Sequence, residues 1–301
     1  MIHCWKAPHI VKGIMTHLPL LNEWRLRQAS TGGTDSSDYC YRVWIHHLST
    51  LSEYGFKIKG AQIGELGPGD SIGTGLAALL SGANRYAGLD VVPFSAKTDL
   101  EKIFRGLVEK FSAKEPVPDV SDFPDQAIDW AGFNKKVEKI TRELRNGLNG
   151  SQFISYHAPW TSPDVIAANS LDLVFSHCVL EYVDPLSKTY RTMYEWLRPG
   201  GYCSHHIAMN ANHLSPFWNG HWAYSDWEWR LLRGRRFTVL NREPLSTHIK
   251  CMEEAGFEIL NVRRNYGSRG LDRAALSPRF QALDTEDLKT RGALLILRKP
   301  S

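Results

Sequence analysis

The sequence lacks any apolar run that approaches the roughly 20 residues needed to cross a membrane. Lys6, His9 and Lys12 interrupt the apolar residues near the N-terminus, so no signal-peptide core is expected there. The five cysteines are scattered and form no Cys-x-x-Cys pair, which favours reduced thiols over a disulfide framework or a zinc motif. Internal repeats, low-complexity tracts and long linkers are also missing. These absences predict a cytoplasmic protein with no membrane partner.

The charge balance is close to neutral, with a formal net charge of +4 over 301 residues. Such a balance permits an anionic substrate and does not call for a nucleic-acid partner. With 43% hydrophobic residues, the chain can bury a full core as one domain with elaborations, or as one domain plus a cap. Helical and strand patterns alternate from about residue 60 onward, which predicts a parallel α/β sheet covered by helices on both faces.

The segment 63–75, IGELGPGDSIGTG, is the most informative part of the chain. A short apolar strand precedes the glycines, and apolar residues at helical spacing follow them, so the pattern predicts strand, turn and helix. Gly67 and Gly69 can adopt positive φ and bring the backbone close to a ligand. Asp70 would repel a pyrophosphate and suits a ligand that carries an amine or a sulfonium. The alternative is a tight turn that binds nothing.

Three further strands are predicted along the chain. Residues 86–90 form a short apolar strand that ends in Asp90, where an open α/β sheet places a carboxylate against ribose hydroxyls. Residues 170–177 form a buried strand, and a helix follows with Asp184 as its N-cap and Pro185 at its first position. The sequence RPGG at 198–201 ends this helix, and the next strand covers 202–207.

In this order, the pieces resemble the class I S-adenosylmethionine-dependent methyltransferases. The matching sequences are ELGPGDS, GLD, SLDLVFSHCVLEYVDP and LRPGGY, and the resemblance covers residues from about 60 to 300. It implies an α/β, Rossmann-like, seven-stranded methyltransferase sheet over 60–301. Residues 1–59 are expected to form a helical extension, with insertions at about 93–150 and 209–246. TGGTDSSDYCYRVWIHHL near the N-terminus is more weakly similar to bacterial methyltransferases of polysaccharide and small-molecule biosynthesis.

The resemblance also implies the cofactor, S-adenosyl-L-methionine, and the residues that contact it. The glycine loop would hold the methionine part, Asp90 the ribose, and the end of the third strand the adenine. An acid is often found at this last place in the family and is absent here. The predicted cofactor-binding residues are Glu65, Leu66, Gly67, Pro68, Gly69, Asp70, Asp90, Val91, Tyr156, His157, Ala158, Ser176 and His177. Segment 31–41 is either a helix packed over the sheet or a segment that closes over the cofactor.

His177 is the predicted catalytic residue. A hydroxyl acceptor requires a general base of near-neutral pKa, and His177 follows the fourth strand at the ligand-binding edge of the sheet. The alternative is a histidine that is hydrogen-bonded beneath the cofactor. Other histidines are held in reserve: His205, His206, His213 and His221. His205 and His206 point to opposite faces of one strand and cannot chelate one ion together, so no metal site is predicted.

The insertion at 209–246 is rich in tryptophan and arginine and is expected to form a cap. Aromatic faces suit stacking on a sugar or ring system, and the arginines suit a phosphate or carboxylate. The predicted substrate-binding residues are Trp218, His221, Trp222 and Tyr224. The alternative is that these aromatics form the small core that a cap needs for its own stability.

The expected function is methylation of a hydroxyl on a sugar, a glycan or another small biosynthetic metabolite. Residues 176–179 read SHCV and do not carry the Asn/Asp-Pro-Pro-aromatic signature of amino-directed nucleic-acid methylation, which favours an oxygen acceptor. Two alternatives stay open: N- or C-methylation of a small molecule, and a binding protein of this fold that has lost catalysis. Whether the chain forms a homodimer is left open.

Overall fold

The fold is built on one seven-stranded sheet of order β3-β2-β1-β4-β5-β7-β6. The computed structural model describes residues 5–17, 33–93, 98–148, 150–160, 162–236 and 238–301. The strands are β1 (Gln62–Leu66), β2 (Arg85–Leu89), β3 (Ile154–His157), β4 (Leu171–His177), β5 (Leu197–Ala208), β6 (Glu258–Tyr266) and β7 (Thr290–Arg298). Strands β1 to β5 pair in parallel, whereas β7 pairs antiparallel with both β5 and β6. This order confirms the predicted Rossmann-like methyltransferase sheet.

Helices cover both faces of the sheet, as the alternation of patterns predicts. They are α1 (Lys6–Met15), α2 (Ser37–Glu53), α3 (Gly73–Ser81), α4 (Leu100–Ala113), α5 (Phe133–Arg145), α6 (Leu186–Trp196), α7 (Asp226–Arg233), α8 (Leu245–Ala255), α9 (Pro278–Gln281) and α10 (Thr285–Lys289). The core has two main parts. One packs α2, α3, α4 and α5 against one face of the sheet, and the other packs α6 and α8 against the opposite face. No helix among the described residues has the length and apolar character of a membrane span.

One of the predicted local features is shifted. Helix α6 has Pro185 as its N-cap and starts at Leu186, one residue later than predicted. Asp184 instead forms a 2.5 Å ion pair with Arg233 of the cap. Helix ends depend on such capping contacts, and propensity alone does not fix them.

Helix α1 packs on the cap, and Gly13 allows this approach. A Cβ at Gly13 would lie 2.1 Å from the carbonyl oxygen of Leu231 and 2.2 Å from that of Leu232. Lys6 at the other end of α1 donates a 2.6 Å hydrogen bond to the carbonyl oxygen of Ala223 and a 3.1 Å one to Glu228. The first helix and the cap therefore stabilise each other.

We expect Gly13→Ala to destabilise the protein by about 1–3 kcal/mol, because backbone carbonyls cannot move away from the new methyl group cheaply. In a free helix the same change would stabilise by about 1 kcal/mol. Urea unfolding followed by circular dichroism measures the difference. Val11→Ala on the same helix is the control, since Val11 is 54% exposed. A Gly13→Ala protein as stable as the parent would contradict the close approach.

Candidate functional site

The glycine loop lies between the end of β1 and the start of α3. Gly67 has a φ of 64° and Gly69 a φ of 73°, a region that favours glycine. A Cβ at Gly67 would lie 2.6 Å from Cγ2 of Val179, which follows β4. The amide of Gly67 donates a 2.8 Å hydrogen bond to the carbonyl oxygen of Leu89 at the end of β2. The loop is thus fixed against two neighbouring strands, which supports a built ligand site over a simple turn.

Asp90 lies at the centre of this edge of the sheet. Its carboxylate accepts a 3.1 Å hydrogen bond from the amide of Gly69 and a 2.7 Å one from the amide of Val91. The side chain is buried, and burial raises the pKa of Asp90, against the lowering effect of these two amides. The backbone amide of Val92 also lowers this pKa, and a carboxylate has about four lone-pair sites, so Asp90 keeps capacity to accept from a ribose hydroxyl.

Glu65 is buried beneath the loop. The hydroxyl of Tyr86 donates a 2.5 Å hydrogen bond to Glu65 Oε2, and Gly75 makes room for the Tyr86 ring, since a Cβ at Gly75 would lie 2.1 Å from it. Burial raises the pKa of Glu65 to about 8, the Tyr86 hydrogen bond opposes this, and the charge of Asp90 adds to it. A cationic group beside Glu65 would restore its charged form.

The segment before α2 is tied to the glycine loop. The Ser71 amide donates a 3.1 Å hydrogen bond to Thr34 Oγ1, and the Ser71 hydroxyl donates to the Thr34 carbonyl oxygen. Cys40 on α2 also donates to this carbonyl, at 3.3 Å. These contacts place the N-terminal segment beside the glycine loop. Thr31, the first residue of the predicted segment, lies outside the described residues.

The end of β3 meets Asp90, as the resemblance implies. The amide of Asp90 donates a 2.9 Å hydrogen bond to the carbonyl oxygen of His157, and the Tyr156 hydroxyl donates a 3.3 Å one to that of Val92. Leu66 and Pro68 are buried in the same region, whereas Val91 is 56% exposed. The predicted cofactor-binding residues Glu65, Leu66, Gly67, Pro68, Gly69, Asp70, Asp90, Val91, Tyr156, His157 and Ala158 therefore gather at one edge of the sheet.

Ser176 is placed differently from the prediction. Its hydroxyl shares a 2.9 Å hydrogen bond with His205 Nδ1, and both side chains are fully buried. His205 contacts Tyr190 of α6, so this pair faces the side of the sheet that α6 covers. Because side chains alternate along a strand, Ser176 and His177 point to opposite faces. The Ser176 side chain therefore lies on the face opposite to the crevice, which is the group of side chains around His177 at the end of β4.

His177 lies in a group of rings at the end of β4. Its Nδ1 shares a 3.3 Å hydrogen bond with His47 Nε2, and its ring stacks on that of His206 with centroids 4.5 Å apart. Tyr39 contacts His177 edge-on, with ring centroids 6.1 Å apart. Burial lowers the pKa of His177 to about 3 and that of His206 to about 4. The expectation of a near-neutral pKa is wrong for the free protein, because desolvation disfavours the imidazolium.

Several residues of this crevice were missed by the sequence analysis. Tyr39 and His47 come from α2, more than 120 residues before His177, so sequence order alone does not bring them together. Glu181 is 4% exposed, its Oε2 has no hydrogen-bond partner among the described residues, and burial raises its pKa to about 8. A glutamate inside the apolar run VLEYV was the available signal for Glu181.

The four predicted substrate-binding residues of the cap are mostly packed inside it. Trp222 and Tyr224 are fully buried, and His221 is 2% exposed. Trp222 stacks on Phe280 and donates a 3.0 Å hydrogen bond to the Arg242 carbonyl oxygen. Trp218 is half-buried against the loop at 267–270. The structure thus places Tyr224 in an apolar cluster with Leu214, Trp229 and Leu232 of the cap, and Trp222 in a second cluster with Leu276 and Phe280.

The reserve histidines separate into different environments. His205 is enclosed beneath the sheet, His221 is enclosed in the cap, and His213 is exposed. Only His206, among these four, lies beside His177. One ring nitrogen of each of these two histidines and Sγ of Cys178 all lie within 4.8 Å of one another. The sequence analysis considered only the pair His205 and His206 and did not anticipate this group.

One segment of the chain resembles a known protein family. Residues 142–204 match a family model described as a methyltransferase domain. No curated protein sequence matches the chain significantly. Among solved structures, an S-adenosylmethionine-dependent methyltransferase of Mesorhizobium loti has 15% identity and a TM-score of 0.43, with 83% of this chain and 95% of that chain covered. Phosphoethanolamine N-methyltransferase 2 of Haemonchus contortus has 14% identity and a TM-score of 0.44, with 86% and 53% covered.

The sheet order and the family match define the class: a Rossmann-like α/β protein whose segment 142–204, from α5 to β5, carries a methyltransferase-domain sequence. The residues present fit S-adenosyl-L-methionine as the cofactor. Gly67 and Gly69 let the backbone approach the ligand, Asp90 has free acceptor capacity, and Glu65 is a buried acid that a cation would ionise.

We expect the affinity for S-adenosylhomocysteine to rise with pH between about 6 and 8. Glu65 is protonated in the free protein below its pKa of about 8. A bound amino group favours the ionised carboxylate, so binding releases a proton below that pH and is weakened by acid. Titration calorimetry across pH measures this linkage. Glu65→Gln is the control, and an unchanged pH dependence in that variant would assign the linkage elsewhere.

Proposed function

We propose that the protein is an S-adenosylmethionine-dependent methyltransferase that methylates a hydroxyl of a sugar, a glycan or another small biosynthetic metabolite. One observation carries the proposal: the glycine loop with Asp90, and the crevice with His177, share one edge of the sheet. In an open α/β sheet this edge is where ligands bind. The proposed acceptor is a small molecule, and the proposal includes neither a nucleic-acid nor a membrane partner.

The proposed position of the cofactor determines from which side the methyl group would be transferred. The loop at 65–70 would hold the methionine part, and Asp90 would hold the ribose, so the sulfonium would lie towards the ends of β1 and β4. His177 lies beside this loop on the neighbouring strand, because Leu66 of β1 pairs with Ser176 of β4, the residue before His177. The methyl group would therefore point into the crevice that His177, Tyr39 and His206 line.

Methyl transfer is an in-line displacement, so alignment of the acceptor supplies much of the rate. A lone pair of the acceptor oxygen forms the new bond to the methyl carbon, the C–S bond breaks, and its electron pair stays on sulfur. The hydroxyl proton must leave the oxygen. His177 is the proposed hydrogen-bond acceptor and base for this proton. Its neutral imidazole can accept from a hydroxyl, although its low pKa makes it a weak base in the free protein.

We expect Asp90→Ala to weaken binding of S-adenosylhomocysteine by about 1.5–3 kcal/mol, the scale of hydrogen bonds to a charged group. Loss of the carboxylate also frees the amides of Gly69 and Val91, which Asp90 now holds. Asp90→Asn separates these effects, because an amide oxygen still accepts from a backbone N–H. Titration calorimetry gives the dissociation constants.

Asp122→Ala is the matched control for Asp90→Ala, since Asp122 is exposed in the loop between α4 and α5. Equal affinity in the parent and Asp90→Ala proteins would remove Asp90 from the cofactor site. Binding of NAD in preference to S-adenosylhomocysteine would overturn the proposed function.

We expect His177→Ala to lower turnover by about 10²–10⁴-fold, the usual loss for a missing general base. The cofactor dissociation constant should change less than about twofold, because His177 faces the acceptor side. Release of S-adenosylhomocysteine is measured against a panel of hydroxyl, amine and carbon acceptors. His213→Ala serves as the control, since His213 is exposed outside the crevice. Full activity of His177→Ala would exclude this role, and activity confined to amines would favour an N-methyltransferase.

A further inference from the structure

The ends of β4 and β5 bring three metal-binding side chains together. His177 pairs with His206 across the two strands, and their rings are stacked with centroids 4.5 Å apart. Sγ of Cys178 lies 3.4 Å from His206 Nδ1. One donor atom from each of the three residues lies within 4.8 Å of the other two. Imidazole and thiolate are both zinc ligands, and catalytic zinc sites use three protein ligands with a fourth position open.

The backbone of Cys178 is what completes this group. Successive side chains of a strand point to opposite faces, so His177 and Cys178 would ordinarily be separated by the sheet. Cys178 instead has a φ of 56°, in the left-handed region that non-glycine residues adopt rarely and often at functional sites. Its amide still donates a 2.8 Å hydrogen bond to the His206 carbonyl oxygen. The left-handed turn thus directs the thiol to the side that both histidines occupy.

Neighbouring groups hold the first of these ligands in place. His177 Nδ1 lies 3.3 Å from His47 Nε2, and His47 Nδ1 shares a 2.6 Å hydrogen bond with Ser204 Oγ. His47 and Ser204 are fully buried. Such outer hydrogen bonds orient metal-binding histidines and tune the ion. A histidine that only fills the core would not need this series of hydrogen bonds from His177 through His47 to Ser204.

We propose that His177, Cys178 and His206 bind a zinc ion in the crevice, with its fourth position open to the acceptor. This role in catalysis rests on the proposed function, whereas the ion site itself does not. Zinc would bind the acceptor hydroxyl and lower its pKa, so that its proton passes to solvent. The bound oxygen then attacks the methyl carbon, and the electron pair of the C–S bond stays on sulfur. With the ion bound, His177 is a ligand and solvent takes the proton, whereas in the metal-free crevice His177 is the base of the proposed function.

Binding requires a local change that can be measured. The planes of the His177 and His206 rings differ by only 14°, so their lone pairs do not yet converge on one point. One ring must turn about χ2, a broad torsion in histidine. The Cys178 thiol loses its proton to solvent when the ion binds. Occupation of the site therefore breaks the ring stack and forms a thiolate–metal bond.

The test uses the full chain under reducing conditions, with cobalt(II) as a spectroscopic probe and zinc in titration calorimetry. We expect one zinc per chain and a near-ultraviolet thiolate-to-cobalt charge-transfer band that zinc abolishes. Cys178→Ser should remove the band, and Cys178→Ser and His206→Gln should each weaken zinc binding at least about tenfold. Cys251→Ser and His213→Gln are the controls, since both residues lie outside the group, and both variants should keep the band.

Binding of S-adenosylhomocysteine is measured in parallel. In the parent protein it tests the proposed function, and in each variant it shows that the fold is kept. A site-specific cobalt band without cofactor binding would keep the zinc site and overturn the methyltransferase proposal. Cofactor binding without a charge-transfer band, or a band that persists in Cys178→Ser, would overturn the zinc site and leave His177 as the base.

Discussion

The parallel pairing of β1, β2, β4 and β5 is the constraint on which the whole site depends. It brings the carboxyl ends of these strands to one edge, where Leu66 pairs with both Leu89 and Ser176, and where His177 pairs with His206. Glu65, Asp90, His177 and His206 all lie near the carboxyl end of one of these strands. A slip of one residue between β4 and β5 would exchange the faces of the strand and separate the two imidazoles. Register therefore determines the chemistry as much as residue type does.

Burial gives this edge its electrostatic character. The pKa of Glu65 and that of Glu181 are raised to about 8, and those of His177 and His206 are lowered to about 3 and 4. Desolvation is the main cause in each case, so the free crevice holds mostly neutral groups at pH 7. The buried crevice screens charge weakly. An ionised acid there would therefore bind a cationic ligand more strongly than the same acid would at the surface. The site is thus suited to a cationic ligand and a neutral acceptor.

The elements outside the sheet are joined to each other as well as to the core. Helix α1 packs on α7 through Gly13, and Trp222 of the cap packs with Leu276 and Phe280 from the C-terminal part of the chain. The segment before α2 holds the glycine loop through Thr34 and Ser71, while α2 itself supplies Tyr39 and His47 to the crevice. The N-terminal part of the chain therefore contributes to both halves of the proposed site.

The sequence by itself determined the sheet, because periodicity, buried strands and turn glycines are local signals. It also placed Glu65, Gly67, Gly69, Asp90 and His177 at the carboxyl ends of strands, since each lies in the last residues of a strand or in the loop after it. Only the tertiary structure decided which side chains meet there. The Ser176 side chain lies on the opposite face of the sheet, and Trp222 and Tyr224 are buried in apolar clusters. His47 reaches His177 from a distant helix. The left-handed conformation of Cys178 is likewise invisible to sequence patterns, because cysteine has no preference for positive φ.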